Sequence, residues 1–257
     1  RHDGQAVTCD DFRAAMADAG GHDLSQFERW YSQAGTPRVS VRSEYDEAAG
    51  IYTLEMTQSC PPTPGQPDKL PMHIPVAVGL LDAQGQDLPL QLADATPAAA
   101  EVHTVPTTRV LELTATTHRF RFVGVAQRPV PSLLRDFSAP VILDYDYTDS
   151  ELAFLLAHDS DPFNRWEAGQ RLASRRLLAL AAGGVPADLG YAVTAEDTLI
   201  ADALGKLLRD EALGHGFGQQ RNAVLAIGRG CLRRTLVAWL VVQHNAPGAH
   251  IRFQRGA

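Results

Sequence analysis

Cysteine is scarce in this sequence, and its spacing suggests neither a disulfide nor a metal site. The three cysteines, Cys9, Cys60 and Cys231, lie far apart, and no C-x-x-C pair occurs. An odd number of widely spaced thiols argues against a disulfide framework and against a thiolate zinc site. The simplest expectation is a protein of a reducing compartment, the cytoplasm.

Long hydrophobic runs are also missing. The longest apolar run near the C-terminal end, Leu236 to Val242, is far short of the roughly 20 residues that span a bilayer. The polar start, Arg1 to Gly4, is followed by no apolar leader segment, so no membrane partner is expected. Because the sequence does not begin with methionine, we expect it to start partway into a longer product.

Acidic residues are absent from the last part of the chain. All 30 Asp and Glu residues lie within 1–211, whereas 212–257 carries arginines and no lysine. The formal net charge of −7 does not favour general binding to nucleic acid or to a membrane surface. The arginines of this tail make nucleic-acid binding an alternative function, which we disfavour because of the net negative charge. The abrupt loss of acidic residues at 212 suggests that the tail is foreign to the rest of the protein. A shifted reading frame or a truncated gene would produce such a tail.

Recognisable catalytic motifs are missing as well. None of the nine histidines lies four residues from another or precedes a glutamate, so there is no H-E-x-x-H zinc helix. There is no G-x-S-x-G elbow, and the glycine-rich stretch Gly214 to Gly218 lacks the lysine of a phosphate loop. The sequence therefore predicts no catalytic, cofactor-binding or metal-binding residue, and it leaves open whether this chain is an enzyme.

What remains is an ordinary globular composition, with 45% hydrophobic and 21% charged residues. Residues 1–37 show the pattern of two short helices. Thr8 and Asp11 form a capping-box pattern before the first helix. Asp23 is placed to cap the second helix, which carries Trp30 on its apolar face.

Residues 38–147 show the pattern of β structure. Short segments rich in β-forming residues alternate with turn signals, which predicts a β-sandwich of about 100 residues. The predicted strands are 39–41, 51–57, 73–81, 88–92, 109–114, 118–125 and 141–147.

Residues 148–211 show helical spacing. Thr148 or Asp149 is expected to cap the first helix, and Pro162 is expected to occupy the first position of the second. A third helix is predicted over 195–208. Such a succession predicts a helical bundle or the start of a helical array.

Three groups of residues each have a weak functional interpretation and a structural one. A calcium site is one interpretation of clustered carboxylates, against a solvated edge strand and a charged helix start, which we favour. An acid–base group is one interpretation of His158 with Asp159 and Asp161, against a histidine at the negative end of a helix. Ligand stacking is one interpretation of Phe163 and Trp166, against core or interdomain packing. The clustered carboxylates are Asp144, Asp146, Asp149 and Glu151.

Five stretches, in order, resemble bacterial aminopeptidase N, and together they cover about 1–211. None is specific alone. They are R-H-D-G-Q-A-V-T-C-D-D at 1–11, F-x-x-W-Y-x-Q-x-G-x-P at 27–37, an L-x-I-P-like strand at 70–75, P-x-P-S-L-x-R-x-F-S-A-P at 129–140, and D-x-F-x-R-W-E-A at 161–168.

The resemblance implies a zinc aminopeptidase that removes N-terminal residues from peptides, with a broad, alanyl-preferring specificity. In that family two histidines and a glutamate hold zinc on a thermolysin-like domain, the β domain is immunoglobulin-like, and a helical domain covers the active site. The zinc ligands, catalytic glutamate, substrate loop and transition-state tyrosine of the family correspond to no residue here, and the resemblance stops near Gly214.

We therefore predict a multi-part fold. Residues 1–37 would be the last helices of the catalytic domain, 38–147 an immunoglobulin-like sandwich, 148–211 the start of the helical domain, and 212–257 an atypical basic tail. The predicted function is that of a non-catalytic, inactive portion of a zinc aminopeptidase whose catalytic domain is its missing partner. The alternative is a non-enzymatic immunoglobulin-like interaction module. Without that partner we expect an exposed apolar patch at 27–31 and therefore association.

Overall fold

The computed structural model describes residues 3–94, 105–183 and 194–209. The chain divides into two compact units, Arg1–Glu167 and Ala168–Ala257. The predicted basic tail, 212–257, and the Gly214 to Gly218 stretch lie outside the described residues.

The first helix begins where the sequence predicts it. In α1 (Cys9–Gly20) the Asp11 N–H donates to Thr8 Oγ1 at 3.2 Å, and the Thr8 N–H donates to Asp11 Oδ2 at 2.9 Å. This reciprocal pair satisfies donors that a helix N-terminus otherwise leaves free. The helix ends at Gly21, whose φ of 64° suits a residue without a side chain.

The second predicted helix is shorter and less regular than its pattern indicated. Asp23 does not cap it, because Asp23 Oδ1 accepts a hydrogen bond from the Ser25 N–H at 2.8 Å in a local turn. A 3₁₀ turn at Gln26–Glu28 and the four-residue helix α2 (Arg29–Ser32) follow.

Eight strands then form two sheets. Five strands make one sheet in the order β4-β6-β2-β1-β8, and three make the other in the order β5-β3-β7. Neighbouring strands are antiparallel except β1 and β8, which run parallel. The strands are β1 (Arg38–Asp46), β2 (Ile51–Ser59), β3 (Ile74–Leu81), β4 (Gln91–Leu92), β5 (Thr108–Leu113), β6 (Thr117–Val123), β7 (Val130–Leu133) and β8 (Ile142–Asp144).

The core follows from the alternation of side chains along these strands. In β2 every second residue is buried, and Tyr52, Leu54 and Met56 are at most 1% exposed. Burial of each such side chain contributes roughly 1.5–3 kcal/mol. Strand β3 is buried along almost its whole length, and the segment after β7 lies close to it, since the Ala77 N–H donates to Ser138 Oγ at 2.9 Å.

Three strand predictions differ from the structure. The predicted strand 88–92 keeps only the two residues of β4, and the predicted strand 141–147 keeps only β8. Strand β7 was not predicted, and it contains Pro131. Proline is tolerated there because β7 lies at the edge of its sheet, where one row of backbone groups has no strand partner.

The helical predictions are close to the structure. Helix α3 (Asp149–His158) begins at a Thr148–Glu151 capping box, and α4 (Pro162–Gly183) has proline at its first position. Helix α5 (Ala195–Arg209) follows. In the second unit, Arg176 Nε donates to Asp197 Oδ1 at 2.8 Å and thereby links α4 to α5. Within the described ranges, no helix has both the length and the apolar character that crossing a membrane requires.

Candidate functional site

The clustered carboxylates proposed for calcium do not form a site among the described residues. No group of three or more His, Cys, Asp or Glu side chains in that part of the chain is arranged to hold a metal ion. Glu151 is engaged in the capping box of α3, and Asp144 Oδ2 lies 3.5 Å from Ser40 Oγ.

His158 and its two acidic neighbours have separate structural contacts. The His158 ring packs on Phe154 with a centroid distance of 4.9 Å, at the last residue of α3. Asp161 starts α4, since its Oδ1 accepts from the Asn164 N–H at 2.8 Å. Asp159 faces a different partner, a buried arginine, and this is the most developed polar centre in the first unit.

Arg135 uses all of its donors at this centre. Its Nε–H donates to Ser132 Oγ at 2.8 Å. Its Nη1 donates to Thr108 Oγ1 at 2.8 Å and to Asp87 Oδ2 at 3.2 Å. Its Nη2 donates to Asp87 Oδ1 at 2.6 Å and to Asp159 Oδ1 at 3.1 Å. Five N–H donors thus meet five acceptors, which satisfies a guanidinium in a residue only 3% exposed.

The backbone beside Arg135 is held in an unusual conformation. Leu134, Asp136 and Phe137 have φ values of 59°, 54° and 48°. Residues other than glycine pay roughly 1–3 kcal/mol each for such sparsely populated backbone angles. The surrounding contacts must offset that cost. One of them is the hydrogen bond from the Asp136 N–H to Asp161 Oδ2, at 2.9 Å.

Asp159 is the least satisfied member of this centre. It is 0% exposed, and its Oδ1 accepts from Arg135 and from the Asp161 N–H, whereas its buried Oδ2 has no hydrogen-bond partner. Burial raises the pKa of this carboxyl above its ordinary value, and Ser132 and Arg135 offset the rise only in part. The P-x-P-S-L-x-R pattern is the one sign of this centre in the sequence, because three of the four residues that accept from Arg135 lie in distant segments.

The aromatic residues proposed for stacking lie partly at the surface. Phe163 contacts Phe137 and Trp166 with centroid distances of 5.2 and 5.9 Å. Trp166 is 57% exposed, so it packs only partly among the residues that the structure describes. The neighbouring Arg165 is buried and donates to the carbonyl oxygens of Leu156 and Ala157 at the end of α3, where positive charge is favoured.

The aromatic residues near the start of the chain are also partly packed and partly exposed. Trp30 packs against the sandwich, and its Nε1–H donates to the His73 carbonyl at 2.8 Å, whereas Tyr31 is 51% exposed. The expected apolar patch therefore excludes Trp30. It includes α1 instead, which buries no residue and exposes more than half of Phe12 and Met16.

An open cleft of about 480 Å³ lies between the 3₁₀ turn and the sandwich. Its two prominent donors are already engaged with backbone carbonyls. Gln26 Nε2 donates to the carbonyls of Pro71 and Thr114, and the Arg29 guanidinium donates to the Pro71 carbonyl. Both side chains thereby help to hold this turn against the sandwich.

Family comparisons agree with this architecture. Residues 35–146 match the family described as "Domain of unknown function (DUF3458) Ig-like fold", and residues 149–227 match the one described as "Domain of unknown function (DUF3458_C) ARM repeats". The predicted fold class, an immunoglobulin-like sandwich followed by helices, is confirmed. The second match extends past Gly214, where the resemblance visible in the sequence ends.

The chain is homologous to a segment of the aminopeptidase N proteins. It is 42% identical over 216 residues to aminopeptidase N of Escherichia coli, covering 83% of this chain and 23% of that protein. It is 43% identical over 181 residues to the Haemophilus influenzae protein, covering 68% and 19%, and 44% identical over 217 residues to that of Caulobacter vibrioides, covering 84% and 22%.

A solved aminopeptidase structure is also similar to this chain. The crystal structure of Legionella pneumophila aminopeptidase A in complex with aspartic acid superposes with a TM-score of 0.62 at 27% identity, covering 82% of this chain and 21% of that one. The chain thus spans about a fifth of the length of the relatives it matches.

The described residues do not fit the zinc ion that the family implies. His73 Nε2 lies 3.8 Å from Glu112 Oε2, and His118 Nδ1 lies 3.1 Å from the Glu112 carbonyl, but these groups do not form a three-ligand set. The printed sequence also has no H-E-x-x-H. The described residues therefore provide no catalytic step through zinc.

Proposed function

We propose that this chain is a non-catalytic portion of a zinc-dependent aminopeptidase that releases N-terminal residues from peptides, with broad, alanyl-preferring specificity. The identity of 42–44% to aminopeptidase N proteins over most of the chain is the observation that carries the proposal. We place the protein in the cytoplasm, in keeping with the free thiols of Cys9 and Cys60.

The division of labour within the chain follows from the same proposal. Residues 1–37 are the last helices of the catalytic domain, and 38–147 form the sandwich. Residues 148–211 open the helical domain, whose family match runs on to 227, and 212–257 are an atypical basic tail. The exposed apolar side chains of α1 support the first assignment, because a helix with no buried residue has found no partner within the described chain.

The chain alone is expected to be inactive, because its described residues offer no zinc site. The test is hydrolysis of an alanyl anilide by the purified chain with zinc added, with bound metal quantified in the same sample. Full-length Escherichia coli aminopeptidase N serves as the positive control. We expect no hydrolysis above background and no stoichiometric zinc. Activity that rises with bound zinc would reveal a metal site and overturn the proposal.

The catalytic domain is proposed to cover the exposed apolar side chains of α1. Without it, the chain should associate through this surface, since exposed apolar clusters commonly mark interaction sites. The double variant Phe12→Ser, Met16→Gln should shift the chain toward monomer in light scattering. Val110→Thr, at a 59% exposed position on β5, is the matched control and should leave association unchanged. A wild-type chain that is a monodisperse monomer contradicts this part of the proposal.

The second candidate function is a non-enzymatic interaction module. The same exposed surface favours it, and an immunoglobulin-like fold does not by itself decide between the two. The nucleotide sequence upstream of Arg1 separates them. An in-frame H-E-x-x-H there supports the aminopeptidase, and its absence from the whole upstream reading frame supports the module.

A further inference from the structure

Arg135 connects the sandwich to the first helices of the next segment. Two of its acceptors, Ser132 and Thr108, lie on strands β7 and β5, and Asp87 lies in the turn that follows β3. Asp159 lies in the junction between α3 and α4. The neighbouring Ser160 Oγ also donates to Asp87 Oδ2. One side chain therefore joins two sheet strands, a turn and a helical junction within the first unit.

The chain makes room for this joint at two glycines. A Cβ on Gly79 would lie 2.0 Å from Arg135 Cζ, so only glycine lets the guanidinium lie against β3. A Cβ on Gly85 would lie 2.6 Å from His158 Cβ, at a φ of 81°. Gly79 lies against Arg135 and Gly85 lies against His158 of α3, so each glycine permits a close fit at this joint.

The charges at this joint do not balance. One guanidinium faces two carboxylates, those of Asp87 and Asp159. Asp87 binds Arg135 through both carboxylate oxygens, whereas Asp159 binds through one and buries the other without a partner. The other titratable groups beside Asp159 in the chain are His158 and Asp161. The attraction within a buried ion pair offsets the cost of removing both charges from water only when all of their polar atoms are hydrogen-bonded. Asp159 does not meet that condition, because its Oδ2 has no hydrogen-bond partner.

We propose that this centre is a charge-controlled latch, in which Arg135 fastens the helical segment to the sandwich through Asp159, and the negative charge of Asp159, added to that of Asp87, weakens the fastening. Asp87 holds the Arg135 guanidinium in place and accepts from Ser160, and Asp159, the acceptor for Arg135 in the helical junction, sets how tightly the latch closes. Taking the charge off Asp159, by protonation or by substitution, tightens the joint. This inference concerns the fold of the chain itself and does not depend on aminopeptidase activity.

The test compares thermal unfolding of three full-length variants at pH 8 and pH 5.5, each removing one negative charge. Asp159→Asn keeps the oxygen that accepts from Arg135 and should raise the unfolding temperature at pH 8 by about 3 °C. The gain over wild type should shrink at the lower pH to the extent that wild-type Asp159, whose pKa burial raises, takes up a proton in the folded chain. Asp87→Asn should lower the unfolding temperature instead. Asp146→Asn, an exposed carboxylate, is the control and should change little.

The joint itself is tested by hydrogen exchange in Arg135→Met. Amides of α3 should lose protection by at least about tenfold relative to wild type, while those of β2 keep most of theirs. If this variant does not fold, Thr108→Val, which removes one hydrogen bond without a charge change, serves in its place with a smaller loss. The proposal is overturned if Asp159→Asn destabilises the chain at pH 8, if its gain is larger at pH 5.5 than at pH 8, or if α3 keeps its protection.

Discussion

Replacing Gln58 measures how much a buried hydrogen-bonding side chain contributes to the stability of this sandwich. Its Oε1 accepts from the Met72 N–H at 2.7 Å. Its Nε2 donates to the carbonyls of Met72 at 2.8 Å, Leu113 at 3.2 Å and Ala115 at 2.9 Å. Gln58 is 6% exposed, so water cannot easily replace these bonds.

Gln58→Met keeps the length of the side chain and removes its polar atoms. A buried polar group left unsatisfied costs about 1–3 kcal/mol. The Met72 N–H loses its acceptor and three carbonyls lose a donor, so with partial relaxation we expect a loss of about 4 kcal/mol in the free energy of unfolding. That is a large share of the total of about 5–15 kcal/mol that natural domains possess.

Gln33→Met is the matched control. Gln33 holds the backbone of Leu70 just as Gln58 holds that of Met72, with bonds of 2.8 Å from the N–H and 3.0 Å to the carbonyl, but at the surface. Water can replace these bonds, so we expect a loss of about 1 kcal/mol or less.

Urea unfolding followed by circular dichroism measures both variants. With a denaturant slope of about 2 kcal/mol per molar, the midpoint should fall by about 2 M for Gln58→Met and by about 0.5 M or less for Gln33→Met. Equal shifts in the two midpoints would refute the reasoning that burial raises the cost of losing these hydrogen bonds.

Three further predictions concern other positions. Gly79→Ala should destabilise the chain by more than about 2 kcal/mol in urea unfolding, because the new Cβ would overlap the Arg135 guanidinium; an unchanged midpoint would contradict the described packing. Thr148→Ala should cost about 1 kcal/mol in the same assay, because α3 loses its cap, and a loss near zero would mean that the box is not formed in solution. Burial raises the pKa of Asp197, but hydrogen bonds from Thr194 and Arg176 outweigh it and hold the pKa below the ordinary value of 3.8. Its contribution to stability should therefore be present above about pH 4 and be lost as the pH falls through the lower folded pKa, and Asp197→Asn should flatten that acid limb of a thermal unfolding series.

Local signals were predictable from the sequence, and contacts between distant segments were not. The capping boxes at Thr8 and Thr148 and the first-position Pro162 were predicted because each depends on residues within one helical turn. Asp23 shows the limit of such signals, since the same side chain serves a cap or a turn equally well.

Strand β7 and the two buried polar centres were missed for a different reason. Pro131 disfavours a strand unless the strand lies at a sheet edge, and edge position is a property of the whole topology. Gln58 and Arg135 are ordinary polar residues in the sequence. Their roles depend on carbonyls and carboxylates as far as 57 and 48 residues away. No residue could be assigned a catalytic role from the sequence, because the sequence carries no recognisable catalytic motif.

The parallel pairing of β1 with β8 brings together the points where the chain enters and leaves the sandwich. Arg38, the first residue of β1, pairs with Ile142, and Ser40 pairs with Asp144, the last residue of β8. With strands about 4.8 Å apart and a rise of about 3.3 Å per residue, entry and exit lie within roughly 10 Å of each other. Domains whose two ends lie close together are those that tolerate insertion into another chain, and the sandwich meets that geometric condition.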